Sequence, residues 1–154
     1  LNDELSKLEG EYTHIIIDNQ PLIGGLLTTQ ALAASTDLVI PVTADVFSLQ
    51  GLERLQQAIT SIRRRVNPDL TVAGLLLNKL NPRHNLSGGL VQSIAKWAEV
   101  NDTKIFETYI RESVSIREAQ TLRESIFAYA PHSNPALDLM NFLQREYLPN
   151  QEGS

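Results

Sequence analysis

The feature that most constrains this chain is a set of short, uninterrupted apolar runs separated by stretches of helical periodicity. Ile15-Ile16-Ile17, Leu38-Val39-Ile40 and Leu75-Leu76-Leu77 do not alternate with polar residues, as a strand with one wet face does, so they suit strands buried on both faces. Between the last two runs, Leu49, Leu52, Leu55, Ile59, Ile62 and Val66 recur at intervals of three and four, which draws one apolar stripe along an amphipathic helix. The spacing predicts strands over residues 11–18, 37–42, 71–78 and 104–109. It predicts helices over 24–34, 49–66, 86–98 and 135–147, with an irregular stretch between the fourth strand and the last helix. Pro135 suits a first helical turn, and Asn67-Pro68-Asp69 ends the long helix. Such alternation implies an α/β fold, a parallel β-sheet flanked by helices on both faces. One domain over residues 1–148 is expected, followed by a flexible polar tail over 149–154.

Composition removes whole classes of chemistry. With no cysteine, the chain has no disulfide scaffold, thiolate zinc site, iron–sulfur cluster or cysteine nucleophile. His14, His84 and His132 share no motif, which disfavours an imidazole-built metal enzyme. No apolar run reaches the length of a membrane-spanning helix, and the start Leu1-Asn2-Asp3-Glu4 lacks the basic, then apolar, pattern of a signal peptide. A cytoplasmic protein without membrane attachment is therefore expected. The net charge of −5 argues against a surface that is basic throughout. Residues 49–83 are the exception, with Arg54, Arg63, Arg64, Arg65, Lys79 and Arg83 against Glu53 and Asp69.

In open α/β sheets, ligands sit beyond the carboxyl ends of the strands, where loops meet helix N-termini. That rule singles out residues 18–21, 43–47, 78–83 and 110–118. Asp18 stands at a strand exit, where a carboxylate can hold hydrated Mg²⁺ against a phosphate chain, or cap a turn. Asn78, followed by Lys79, offers an amide that could both donate to and accept from a purine edge, or close an Asx-turn. Arg63, Arg64 and Arg65 either complement the dipole of their helix or contribute to a phosphate-binding surface; they fan around the helix, so Arg83 would have to help. Gly24-Gly25 lacks the Lys-Ser/Thr that completes a phosphate-binding loop and reads as a close-packed helix start.

Taken in order, these segments resemble the ParA/Soj family of partition ATPases, deviant-Walker members of the P-loop class. The resemblance covers nearly the whole chain. Residues 12–21 are similar to the family's strand followed by Asp-x-x-Pro, and residues 26–45 to its helix, its Ile-Pro-Val strand and a following acid, here Asp45. Ser48-Leu49-Gln50-Gly51-Leu52 resembles the start of the arginine-bearing helix. Gly74-Leu75-Leu76-Leu77-Asn78 and Arg83-His84-Asn85-Leu86-Ser87 occupy the next strand and loop, and Glu118-Ala119 with residues 129–134 resemble the terminal signature. The chain departs from the pattern at Ile110-Arg111-Glu112, where members usually show Ile-Pro-Arg, and at Asn19-Gln20, where Cys-Pro is more frequent.

The resemblance implies ATP and Mg²⁺ as cofactors. It implies Asp18 as the Walker B carboxylate, Pro21 closing a switch turn near the γ-phosphate, and Asn78 with Arg111 on the base side. Arg63, Arg64, Arg65 and Arg83 would then serve a nonspecific DNA surface. It further implies an ATP-dependent homodimer, a ParB-like stimulating partner and a nucleoid-associated protein of plasmid partition or chromosome segregation. The family's lysine-bearing, Gly-rich Walker A loop does not occur in the sequence, and the chain opens on Leu1 rather than Met. The expectation is therefore the C-terminal part of such an ATPase, with little hydrolysis of its own. Two other readings stand beside it: a MinD-type membrane-surface ATPase, against which the short, charge-mixed stretch before Pro149 speaks, and a non-catalytic interaction module that retains the fold.

Overall fold

The computed structural model describes residues 1–8, 10–19, 24–43, 45–80 and 88–148. The expectations at Pro21, at Arg83 and for the 149–154 tail lie outside the described residues. The order of elements is α1 (Asn2–Leu5), α2 (Leu26–Ala34), β1 (Asp37–Thr43), α3 (Val46–Arg65), β2 (Thr71–Asn78), α4 (Gly88–Val100), α5 (Val114–Leu122), α6 (Ile126–Tyr129) and α7 (Asn134–Phe142). A 3₁₀ turn over Ser6–Leu8 follows α1, and a π-helical turn over Leu143–Tyr147 continues α7. The chain divides into two compact units, residues 1–38 with 49–72, and residues 39–48 with 73–154.

In the first unit, Leu52, Ile59 and Ile62 of α3 are buried, as the stripe required, together with Ala31 and Leu32 of α2 and Leu70 and Val72. Val66, expected on the same stripe, is exposed: it lies one residue past the end of α3, where helical phase no longer carries it inward. The last carbonyls of α2 have no partner within the helix. Asn67 supplies one, its Nδ2 donating to Leu32 O at 3.1 Å and to Ser35 O at 2.7 Å. The Thr71 amide donates to Thr36 O at 2.9 Å, so the starts of β1 and β2 lie side by side; strands that run on from adjacent starts are parallel.

Residues 11–18 correct the expectation of a buried strand. No strand forms there: Ile16 is 91% exposed, and Tyr12 and Ile15 are exposed as well. A strand exists only where a neighbour takes up its N–H and C=O groups, and in the described sheet β1 and β2 pair with each other.

In the second unit, Leu76, Phe106, Ile110 and Phe142 form one apolar cluster, onto which Val39, Ile116, Leu139, Leu143 and Tyr147 pack. Phe106 meets Phe142 edge-on at 4.9 Å, and Phe142 stacks on Tyr147 at 5.9 Å. Gly74 is required here, because a Cβ at that position would lie 2.6 Å from the Phe106 ring. The strand expected over 104–109 becomes two isolated parallel bridges, Leu75 with Ile105 and Leu80 with Arg111. Leu75 N donates to Lys104 O, Phe106 N to Leu75 O and Ile110 N to Leu77 O, but the amides of Glu107 and Thr108 turn instead to the Glu146 carboxylate. The ladder is interrupted because a side chain has taken its donors. The stretch expected to be irregular contains α5 and α6, opened by Ser113 and Ser125, whose hydroxyls accept from the amides two residues on. Met140 of α7 is exposed.

Candidate functional site

Three groups of residues stand at the carboxyl ends of the strands in the second unit. The first follows β1. Asp45 precedes α3, and its Oδ1 accepts from the Ser48 amide at 2.8 Å and from the Ser48 hydroxyl at 3.1 Å. The Thr43 hydroxyl lies 2.5 Å from Asp45 Oδ2 and 2.8 Å from Ser48 Oγ. This closes the first turn of α3 and places a carboxylate at the positive end of its dipole.

The second group ends β2. The Lys79 amide donates to Asn78 Oδ1 at 2.8 Å, and Lys79 itself stands at φ 54°, in the left-handed region that a lysine seldom adopts. The Asx-turn read as one option from the sequence does not form, because the amide two residues on, that of Leu80, donates to Ile110 O instead. The Lys79 amide occupies one lone pair of the Asn78 oxygen; the second lone pair and the Nδ2 donors have no hydrogen-bond partner among the described residues and suit a ligand.

The third group is the 105–112 segment. Leu80 N donates to Ile110 O and Glu112 N to Leu80 O, both at 3.0 Å, so Arg111 runs beside Leu80, two residues beyond Asn78. The two base-side candidates thus leave at the same end of adjacent, parallel stretches. The Arg111 guanidinium is held bidentately by Asp138 of α7, Nη2 to Oδ1 at 2.6 Å and Nε to Oδ2 at 2.9 Å, while the Arg111 amide donates to Oδ2 at 3.1 Å. The Asp138 hydrogen bond raises the Arg111 pKa against the lowering by burial, and the neighbouring charges reinforce the rise. Nearby in sequence, Tyr129 donates to Glu118 Oε2 at 3.1 Å. The bonded carboxylate is the main reason the phenol pKa is raised, followed by burial and the Glu118 and Glu124 charges.

The remaining candidates belong to the first unit. Asp18 is an exposed carboxylate at the end of the unpaired 11–18 segment. Among the described residues, no three His, Cys, Asp or Glu side chains gather as a metal cage. Mg²⁺ carried by a nucleotide keeps waters and takes phosphate oxygens, so a single carboxylate suits it. Arg63 Nε donates to Leu70 O at 2.7 Å and ties the end of α3 to the loop that follows. Arg64 and Arg65 are exposed and line an open groove along α3 with Glu53, Gln57 and Thr60. The sequence contains no Gly-Lys-Ser/Thr, the end of a phosphate-binding loop.

Two residues of this corner are absent from the sequence reading. Asp138 and Glu146 sit on a helix, where carboxylates normally face water. Their partners lie 27 residues away for Asp138, and 39 and 38 residues away for Glu146. The one available signal was Asp138 itself, an acid placed between Leu137 and Leu139 on a helix with an apolar side.

A family model described as AAA domain (AAA_31) matches residues 1–72. The sporulation initiation inhibitor protein Soj of Bacillus subtilis is 34% identical over 136 residues, 88% of this chain and 52% of Soj. The chromosome partitioning protein ParA of Myxococcus xanthus is 33% identical over 129 residues, 84% of this chain and 44% of that protein. The chain thus spans about half the length of the curated relatives it matches. Among solved structures, cobyrinic acid a,c-diamide synthase from Mycobacterium smegmatis superposes with a TM-score of 0.63 at 23% identity, over 94% of this chain and 53% of that one. The same enzyme with a bound ATP analogue and magnesium reaches 0.68 at 20% identity, a likeness of fold.

Proposed function

The chain belongs to the ParA/Soj family of P-loop ATPases, and from that premise we propose that the protein carrying it is a nucleotide-switched partition ATPase. It binds MgATP, pairs with a second copy, binds DNA without base specificity and releases it after hydrolysis stimulated by a ParB-like partner. That cycle makes it a cytoplasmic, nucleoid-associated protein. Asp18 would hold the waters of the Mg²⁺ that the nucleotide brings, and Pro21, outside the described residues, is the switch proline that the family resemblance implies. The metal supplies charge neutralisation on the phosphates. Asn78 meets the base edge, with Arg111 fixing the wall beside it. Arg64 and Arg65 provide exposed phosphate contacts, Arg63 shares that helix end with its Nε already bonded to Leu70 O, and Arg83, outside the described residues, is a further candidate that the family resemblance implies. The phosphate-gripping loop comes from sequence outside these 154 residues.

The observation that carries this reading is the register of the second unit: Arg111 is bridged to Leu80, two residues beyond Asn78, so both leave toward the carboxyl end of parallel segments, where α/β folds seat ligands. The structural neighbour's ADP- and ATP-analogue-bound forms with magnesium agree with it.

The test is DNA retention by the full-length gene product. Affinity for random duplex DNA should rise with MgATP and fall with salt. Reversing both exposed arginines (Arg64→Glu, Arg65→Glu) should weaken binding equally on every sequence and flatten the logarithmic salt slope by about two, about one per lost phosphate contact. An unchanged affinity and slope would remove the arginine surface. DNA binding indifferent to MgATP would remove the switch.

A further inference from the structure

Most of the surface gives nothing that points to a ligand. The α3 groove is already the proposed DNA face, and the exposed isoleucines of residues 11–18 have nothing on them that names an occupant. The C-terminal helix is different, because two carboxylates on it close on backbone donors of one short segment. Glu146 Oε2 accepts from the Glu107 amide and Oε1 from the Thr108 amide, each at 2.6 Å. Asp138 accepts from the Arg111 amide and holds the Arg111 guanidinium on two nitrogens. Three amide groups of residues 107–111 are thereby bound by α7 and its continuation, not by the sheet.

The arrangement is more than a surface ion pair. Adjacent N–H groups aimed at one carboxylate make a small anion receptor, to which the Thr108 hydroxyl and the Lys104 charge add. Glu146 lies in a π-helical turn, a geometry rare in proteins and frequent at functional sites. The apolar cluster fixes the same helix from behind through Phe142, Leu143 and Tyr147. The segment thus receives its shape from α7 while its outer end, Arg111, faces the end of β2 beside Leu80.

We propose that Glu146 and Asp138 are positioning residues for nucleotide-base selection: the C-terminal helix holds residues 107–111 as the wall of the base site, in the shape that lets the Asn78 amide, which can donate to N7 and accept from the N6 amino group of adenine, prefer adenine over guanine. This rests on the nucleotide reading above. Neither carboxylate touches the nucleotide; each acts through the segment it holds. An amide at position 146 retains one acceptor but presents an N–H₂ to a second N–H donor, so one of the two bonds must open.

The experiment compares the wild-type full-length product with Glu146→Gln and Asp138→Asn, measuring affinity for MgATP and MgGTP, thermal midpoint, and hydrogen exchange at residues 107, 108 and 111. The expected result for Glu146→Gln is faster exchange at 107 and 108, a midpoint within a few degrees of wild type, and an ATP-over-GTP preference reduced at least tenfold. Asp138→Asn should speed exchange at 111 and reduce the preference in the same direction. Overall weakening from a merely damaged fold would lower both affinities together and leave their ratio unchanged, which overturns the proposal. Faster exchange with an unchanged ratio also overturns it and leaves the nucleotide reading intact. If the wild type binds neither nucleotide, the nucleotide reading fails and takes this inference with it.

Discussion

Residues 11–18 and residues 105–112 look alike in sequence and differ in the structure. Both are short and mix apolar with polar residues, and residues 11–18 and 104–109 both read as strands. The first is exposed, with Ile16 turned almost wholly to solvent and no ladder along it. The second is bridged to β2 at two points and caught by two carboxylates from the C-terminal helix, and its Phe106 and Ile110 sit in the core. β-propensity and hydrophobicity are shared; what separates the two is whether a neighbour supplies hydrogen-bond partners and an apolar surface. An apolar run therefore states a demand, and the fold decides whether the demand is met.

The sharpest way to break this contrast is to delete equivalent bulk on each side of it. Leu75 bridges Ile105 and is 0% exposed, so Leu75→Ala should destabilise the protein by about 2–5 kcal/mol in denaturant titration, whereas Ile16→Ala should stay within about 0.5 kcal/mol. Similar values for the two would contradict the assignment of paired and unpaired segments. A smaller effect comes from adding bulk. Gly74→Ala drives a methyl into the Phe106 ring and should cost about 1–3 kcal/mol by the same titration.

The smallest effect separates the carboxylate clamp from the core beneath it. Burial pushes the Glu146 pKa up, but the Thr108 hydroxyl, the Thr108 and Glu107 amides and the Lys104 charge together bring it below its ordinary 4.5. A carboxyl lowered in the folded state contributes stability that is complete above the ordinary value and is lost as pH falls through the lowered one. Wild-type stability should thus decline below about pH 4.5 more steeply than that of Glu146→Gln, by no more than about 1 kcal/mol given the solvent around this group. Parallel acid profiles would show that the clamp carries no net charge coupling.

Much of the fold was legible because it depends on local periodicity. The α3 stripe, the buried run of β2 and the Pro135 helix start are written within a few residues of where they act. Ser113 and Ser125 could have announced α5 and α6, but each opens a helix of nine residues or fewer, too short for its periodicity to stand out. The candidate site was half legible. Asn78 could be found from its place at a strand exit, while the fixing of Arg111 by Asp138, and of its segment by Glu146, depends on contacts between residues far apart in sequence, which no local pattern encodes.

The central claim is that the carboxyl end of β2 and the 105–112 segment form the base side of a nucleotide site. It is tested most directly by residue-resolved amide exchange of the full-length product with and without a saturating, non-hydrolysable MgATP analogue. Slowed exchange at residues 78–80 and 107–112, with residues 11–17 less affected, is the predicted result. Saturable binding that leaves residues 78–80 and 107–112 unchanged would place the base elsewhere and contradict the account.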